Sequence, residues 1–302
     1  MIIDVFPFFD EVDLLDIRLN TLDPFVDLFI LSEYSTTFAG NPKPYNFEVN
    51  SSQFSKFSHK IIYLRQEQRQ ILSPFENDDL QKNSIKQHLM KVSSPGDLII
   101  FGDIDEIPEP SSLAEQLAGG SDFFIKHFAQ RVSYGYLNLV NHKNSLESII
   151  GDYPNIRKPK WLGTVLAPIE TIQKLELSEL RLPKHKKLGT RISNGGWHFS
   201  YCGGNLSSVS ERLKYKVQNN AHQEFNSDNF LEGIEARLLS GRDILGRKSK
   251  RKYLPGYKEA RFRIESNLEF LPKYVFENQN RFKHLLILKG DDGAETIQGA
   301  TF

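Results

Sequence analysis

A single cysteine, Cys202, is all that the 302 residues carry. That excludes an internal disulfide framework and makes a reducing compartment the simpler expectation. No stretch approaches the ~20 consecutive apolar residues that a membrane-spanning helix needs. Met1-Ile2-Ile3-Asp4 lacks a basic segment ahead of an apolar run, so no signal peptide and a cytoplasmic location are expected. Net charge is also missing, with 38 Lys and Arg against 38 Asp and Glu. A chain that works by wrapping nucleic acid would be basic. No glycine-rich phosphate loop follows the first apolar run, where Pro7-Phe8-Phe9 stands instead. There is no internal repeat and no low-complexity segment.

What is present is an ordinary globular balance, 39% hydrophobic and 25% charged, in a chain long enough for a substantial core. Aromatics reach 12%, with 22 Phe. Most belong in a core; some would suit a sugar-binding surface. Ile2 to Phe6 reads as a strand, Val12, Leu15, Leu19 and Leu22 as a helix ended by Pro24, and Val26 to Leu31 as a second strand. This is a βαβ unit, hence a parallel sheet with a right-handed crossover. Residues 33–58 read as a long loop. Ile61 to Leu64 is a third strand, and a helix opened by Pro74 runs to Pro95-Gly96. Leu98 to Phe101 is a fourth strand, followed by a short helix capped by Ser112. Strands are expected at 123–128, 132–140 and 161–167, where the sheet becomes mixed. Two helices follow, one through Leu206, Val209, Leu213 and Val217 and one from Asn226–Asn229 to Gly241. The fold class is α/β. A main domain over 1–245 and a C-terminal extension over 246–302, packed on it, are expected.

The fourth strand runs into Gly102-Asp103-Ile104-Asp105-Glu106. Open α/β sheets place ligands at this carboxyl edge. Alternation sends Asp103 and Asp105 the same way, and two such carboxylates suit a hard divalent ion, Mg²⁺ or Mn²⁺. Such an ion can bridge a diphosphate and neutralise charge on its departure. A bare acidic turn is the plainer reading of D-x-D elsewhere; the buried strand before it and Glu-Ile-Pro behind it favour the metal here. His198, between Trp197 and the Gly203-Gly204 turn, is a candidate third metal ligand, with a structural imidazole as the alternative. Gly203, at an expected helix start, is a candidate phosphate contact. Lys82 and Asn83 lie on the helix leading to the metal strand and could reach a nucleotide; a solvated helix face is the alternative. Glu33 could bond a base or ribose, or be a loop acid. Lys43, between two prolines, could face a phosphate or the solvent. The basic segments Arg181–Arg191 and Arg247–Lys252 are solvated loops or a lid over a diphosphate.

These pieces together resemble glycosyltransferase family 17. The resemblance is carried by Asp4-Val5-Phe6, Phe9-Asp10-Glu11, Leu14-Leu15, Phe29 to Glu33, Thr37 to Pro44, Gly102 to Pro108 and Gly196 to Ser200, in that order. It implies a GT-A-like single domain with a Rossmann-like N-terminal half and a mixed central sheet flanked by helices. It also implies a UDP-sugar donor, UDP-GlcNAc first, with Mn²⁺ or Mg²⁺ and inversion at the anomeric carbon. Asp103 and Asp105 fall at the metal. Inverting members of that fold often place the acceptor's base on a late helix, where Asp228, Glu232 and Glu235 are the candidates. The expected acceptor is a glycan, a lipid-linked sugar or a protein. The rival readings are a sugar-nucleotidyltransferase or phosphohydrolase on a similar sheet, and a non-catalytic module that binds a glycan or nucleotide.

Overall fold

The computed structural model describes residues 1–68, 72–119, 125–142, 161–206, 208–245, 261–289 and 295–296. The first apolar run forms β1 (Ile2–Pro7), buried from Ile3 onward. Helix α1 (Val12–Leu22) turns Leu14, Leu15, Leu19 and Leu22 inward. Strand β2 (Leu28–Tyr34) pairs parallel to β1, completing the expected βαβ unit. It starts two residues after the apolar run does. The N–H groups of Phe25 and Val26 both bond back to Leu22 O, so the helix exit extends through Val26.

The polar segment 33–58 is not a bare loop. It holds α2 (Asn46–Asn50) and a 3-10 helix (Ser51–Phe57), anchored by buried Phe47, Phe54 and Phe57. Strand β3 (Ile61–Gln66) pairs parallel to β2. The expected single helix after it is two, α3 (Pro74–Asn83) and α4 (Ile85–Val92), meeting at Ser84. Ser73 and Glu76 form a reciprocal capping box at the start of α3. Strands β4 (Leu98–Phe101) and β5 (Glu106–Pro108) flank the acidic turn. Helix α5 (Pro110–Ala118) begins with the proline, which suits a first helical turn. Ser112 is therefore inside the helix, and its hydroxyl donates to Asn194 O instead of capping.

Strands β6 (Lys126–Tyr134) and β7 (Tyr136–His142) replace the expected 123–128 and 132–140, of which 123 and 124 lie outside the described residues. The break falls at Gly135, whose φ of 71° is open to glycine. Then come β8 (Trp161–Pro168), α6 (Ile169–Lys174) and a 3-10 turn (Ser178–Arg181). Helix α7 (Pro183–Leu188) and strands β9 (Thr190–Ile192) and β10 (Gly196–Ser200) follow. The remaining elements are α8 (Val209–Asn219), α9 (Asp228–Glu232), α10 (Ile234–Leu239), β11 (Arg261–Ile264) and α11 (Lys273–Glu277).

One mixed sheet runs in the order β11-β7-β6-β8-β4-β1-β2-β3. The β4-β1-β2-β3 half is parallel, and β8 joins it antiparallel at β4. This is the expected α/β architecture with a mixed centre. Strand β10 lies between β5 and β6 and sets His198 opposite Glu106. Beyond residue 245, β11 extends the sheet at β7, and Trp197 Nε1 donates to Phe270 O. The run Arg247–Lys252 lies outside the described residues. No helix among the described residues is long and apolar enough to cross a membrane.

One buried group makes the fold acid-sensitive. His127 on β6 is fully buried. Burial, reinforced by the nearby Lys186 charge, pushes its pKa down from 6.5 to about 4. The fold therefore favours the neutral ring. Above pH 6.5 this costs nothing. As pH falls from 6.5 toward 4, the unfolded chain takes up a proton that the folded chain refuses. Stability should drop by about 3 kcal/mol across that window. Urea unfolding of the wild type and His127→Met at pH 7 and pH 4 checks this. The variant should lose about 3 kcal/mol less than the wild type, and equal losses would contradict it.

Candidate active site

The acidic turn is fixed from below by a buried ion pair that sequence reading missed. Asp4 on β1 accepts from Arg18 Nε at 2.7 Å and Nη2 at 2.6 Å, both side chains being fully buried. Arg18 Nη1 also donates to Asp103 O at 3.0 Å and Glu106 O at 2.9 Å. One guanidinium thus ties strand β1 and helix α1 to the backbone of the turn. The signals were an acid inside an apolar strand and a cation on the apolar side of a helix.

Glu106 is the second concealed element. It is completely buried and accepts from Trp161 Nε1, from Arg181 Nη2 at 2.6 Å and from the Asp103 N–H at 2.9 Å. Its carboxyl group lies against Gly163, where an added Cβ would come within 2.5 Å. Arg181 closes the network by pairing with Asp103 Oδ2 at 2.6 Å. The segment Arg181–Arg191 was expected to be a solvated loop or a lid; its first residue instead points inward onto two acids. Lys82 Nζ sits 2.7 Å from Asp78 and 3.5 Å from Asp103. Burial opposes charge on Asp103, but Arg181 and Lys82 outweigh it and hold the carboxyl well below the usual carboxylate range.

Asp105 faces a different neighbour. Its Oδ2 is 3.4 Å from His198 Nε2, and the His198 ring rests on Trp161 with centroids 4.8 Å apart. Burial disfavours the imidazolium, but the Asp105 carboxylate outweighs it and holds the pKa above the ordinary histidine value. His198 Nδ1 and Asp103 Oδ1 are buried and accept or donate no hydrogen bond.

Asp103, Asp105 and His198 line one cavity. The segment between β1 and α1 contributes Phe8, Phe9 and Glu11, and the loop after β2 contributes Thr36, Thr37 and Phe38. Tyr201 and the end of α8 complete it. Tyr201 has a φ of 59°, a strained value of the kind that concentrates at functional sites.

The other candidates are placed elsewhere. Glu33 and Lys43 form a buried ion pair with each other. Glu33 also accepts from the Asn46 and Phe47 N–H groups and from Tyr63 OH at 3.1 Å. Neither lines the cavity; the pair shapes the loop that does. Asn83 exchanges hydrogen bonds with Ser178 and so anchors the turn that carries Arg181. Gly203 is not at a helix start, because α8 begins at Val209. It packs against Leu14 and Glu11 Cβ. Asp228, Glu232 and Glu235 lie on α9 and α10 and are not among the cavity-lining residues. These helices pack their apolar side, Leu231, Ile234 and Leu238, into a core around Tyr134 and Phe262.

A divalent ion fits what is here, in a limited way. Among the described residues no three His, Cys, Asp or Glu are gathered closely enough to hold an ion alone. Mg²⁺ and its relatives are commonly held by one or two carboxylates with waters and substrate phosphates. Asp105 and His198 meet that need, while Asp103 is drawn onto Arg181 and Lys82. Asp78, Asp103 and Glu106 share two cations, Lys82 and Arg181, and Asp105 beside them pairs with His198. With His198 neutral, as a ligand must be, the cluster keeps two negative charges, which one divalent ion neutralises.

Comparison with known proteins agrees with the motif resemblance. Residues 1–142 match the profile of glycosyltransferase family 17. That span holds Asp103 and Asp105 and ends before His198. The chain is similar to the beta-1,4-mannosyl-glycoprotein 4-beta-N-acetylglucosaminyltransferase of Rattus norvegicus, 22% identical over 317 residues, covering 96% of this chain and 55% of that protein. The Homo sapiens protein of the same name is 22% identical over 304 residues, covering 91% of this chain and 53% of its own length. The chain thus spans about half the length of the curated relatives it matches.

Proposed function

We propose that this chain is a metal-dependent inverting glycosyltransferase. It moves a sugar, GlcNAc first among the candidates, from a UDP-sugar to a hydroxyl of a glycan, lipid-linked or protein acceptor. The observation that carries the reading is the cavity at the carboxyl edge of the parallel strands. There Asp105 and His198 face a common space beside an Asp103 fixed by two cations. The family match over residues 1–142 and the similarity to N-acetylglucosaminyltransferases support it.

Asp105 and His198 would hold the divalent ion, which when bound supplies positive charge for a leaving diphosphate. The rest is the work of the chain. Trp161 supports the His198 ring from one side. Arg181 and Lys82 keep Asp103 ionised and fixed in one position. Arg18 holds the turn's carbonyls, so the two aspartates keep their spacing. A site preorganised in this way has little reorganisation left at the moment of reaction. The cavity's remaining carboxylate, Glu11, accepts from Lys216 and from the N–H groups of Phe9 and Asp10.

The test is incubation with a panel of nucleotide sugars and Mn²⁺, followed by mass spectrometry of the released nucleotide. Slow, metal-dependent UDP release from one donor is expected even without acceptor. Pyrophosphate release would indicate a nucleotidyltransferase instead. Binding without turnover of any donor, by a folded protein, would point to a non-catalytic module.

A further inference from the structure

Among the described residues that line the cavity, Lys216 is the one lysine or arginine. Nothing in the sequence motifs marks it. It sits in the last turn of α8, and its side chain is only 9% exposed. Its ammonium donates to Glu11 Oε1 at 2.7 Å and lies 3.5 Å from Asp10 Oδ1. Burial opposes its charge, but Glu11 and Asp10 outweigh that and keep it protonated. The helix end is fixed in place. The Ala39 N–H donates to Asn219 O, Asn41 Nδ2 donates to Asn219 Oδ1, and Asn220 Nδ2 donates to Tyr201 OH.

A buried ammonium is costly, and a lysine that served only to neutralise Glu11 could do so at the surface. Here it is set into the wall of a cavity whose other lining includes three acids, Glu11, Asp103 and Asp105, and His198. An ammonium has three N–H donors, and Glu11 takes one at short range. A diphosphate entering between the Asp105–His198 wall and α8 would need positive charge on the α8 side too. We propose that Lys216 binds the diphosphate of a nucleoside-diphosphate ligand, exchanging its Glu11 partner for a phosphate oxygen. This rests on the donor-binding reading above and adds to it the residue that grips the diphosphate from the second wall.

Calorimetry on the full chain with Mn²⁺ and inorganic pyrophosphate tests this. The double variant Glu11→Gln/Lys216→Met keeps the local net charge of the wild type while removing the ammonium. It should bind pyrophosphate at least ~10-fold more weakly, the value of one charge-assisted hydrogen bond. Glu11→Gln alone removes the closer of the ammonium's two acid partners, leaving Asp10, and should bind more tightly than the wild type. Wild-type affinity in the double variant would mean that Lys216 only balances Glu11, overturning the proposal while leaving the diphosphate site intact. Weaker binding by Glu11→Gln alone would overturn it as well, even should the double variant fail to fold. No Mn²⁺-dependent binding by the wild type would remove the site and the Lys216 role together.

Discussion

Asp105→Asn is expected to lower metal-dependent donor turnover by at least ~100-fold, the scale on which removing one preorganised charge-stabilising group acts. The substitution keeps shape and the backbone bond from the Phe199 N–H to Asp105 O. It removes the carboxylate that faces His198 and the cavity. Because the side chain is partly solvent-exposed and lies outside the Arg18 and Glu106 networks, with His198 as its ionic partner, the unfolding free energy should move by less than ~1 kcal/mol. Turnover by the donor assay and urea unfolding, measured on the same preparation, separate the two quantities. An Asp105→Asn protein that turns over donor normally would remove the carboxylate from the site. One that unfolds would make the residue structural.

Arg18→Met should do the reverse and damage the fold first. It leaves Asp4 buried among apolar neighbours without its partner. Burial already pushes the Asp4 carboxyl above its ordinary value even with Arg18 beside it. Breaking one half of a fully buried pair costs ~3–5 kcal/mol, whereas replacing both halves by apolar groups is often neutral. The double variant Asp4→Leu/Arg18→Met should therefore regain most of the stability. Its turnover should stay low, because Asp103 O and Glu106 O lose the guanidinium that fixes the turn. A loss below ~1 kcal/mol in Arg18→Met would contradict the ledger for this pair. Full turnover in the double variant would show that the turn holds its shape unaided.

The two substitutions probe different parts of the same site. Asp105 faces the cavity and Arg18 lies beneath it. The stability of this fold and its chemistry meet at the backbone of residues 103–106.

Much of the plan is legible in the sequence. Apolar runs and helical spacing determined the βαβ opening and the four strands that become the parallel half, because local periodicity is set by which face of each element must be buried. The apolar strand ending in Gly102-Asp103-Ile104-Asp105 placed two carboxylates at a sheet edge for the same reason. Where that reading failed, the deciding contact was remote in sequence. The hinge at Gly135 depends on a left-handed conformation against Leu238. Glu33, at the end of the second strand, and Lys43, between two prolines, read as separate candidates for a ligand; the fold pairs them with one another across ten residues. Arg181 looked like a solvated cation of a basic loop until the chain set it between Asp103 and Glu106.

The sequence by itself therefore determined the acids, their strand and the family they resemble. Tertiary structure decided their company. Asp103 received two cations, Asp105 received His198, and Lys216 arrived at the cavity wall from a helix more than a hundred residues away. Patterns along a chain report burial, which is local and periodic. Charge partners are chosen by distance in space, which sequence spacing encodes only within one helix, as for Lys82 and Asp78.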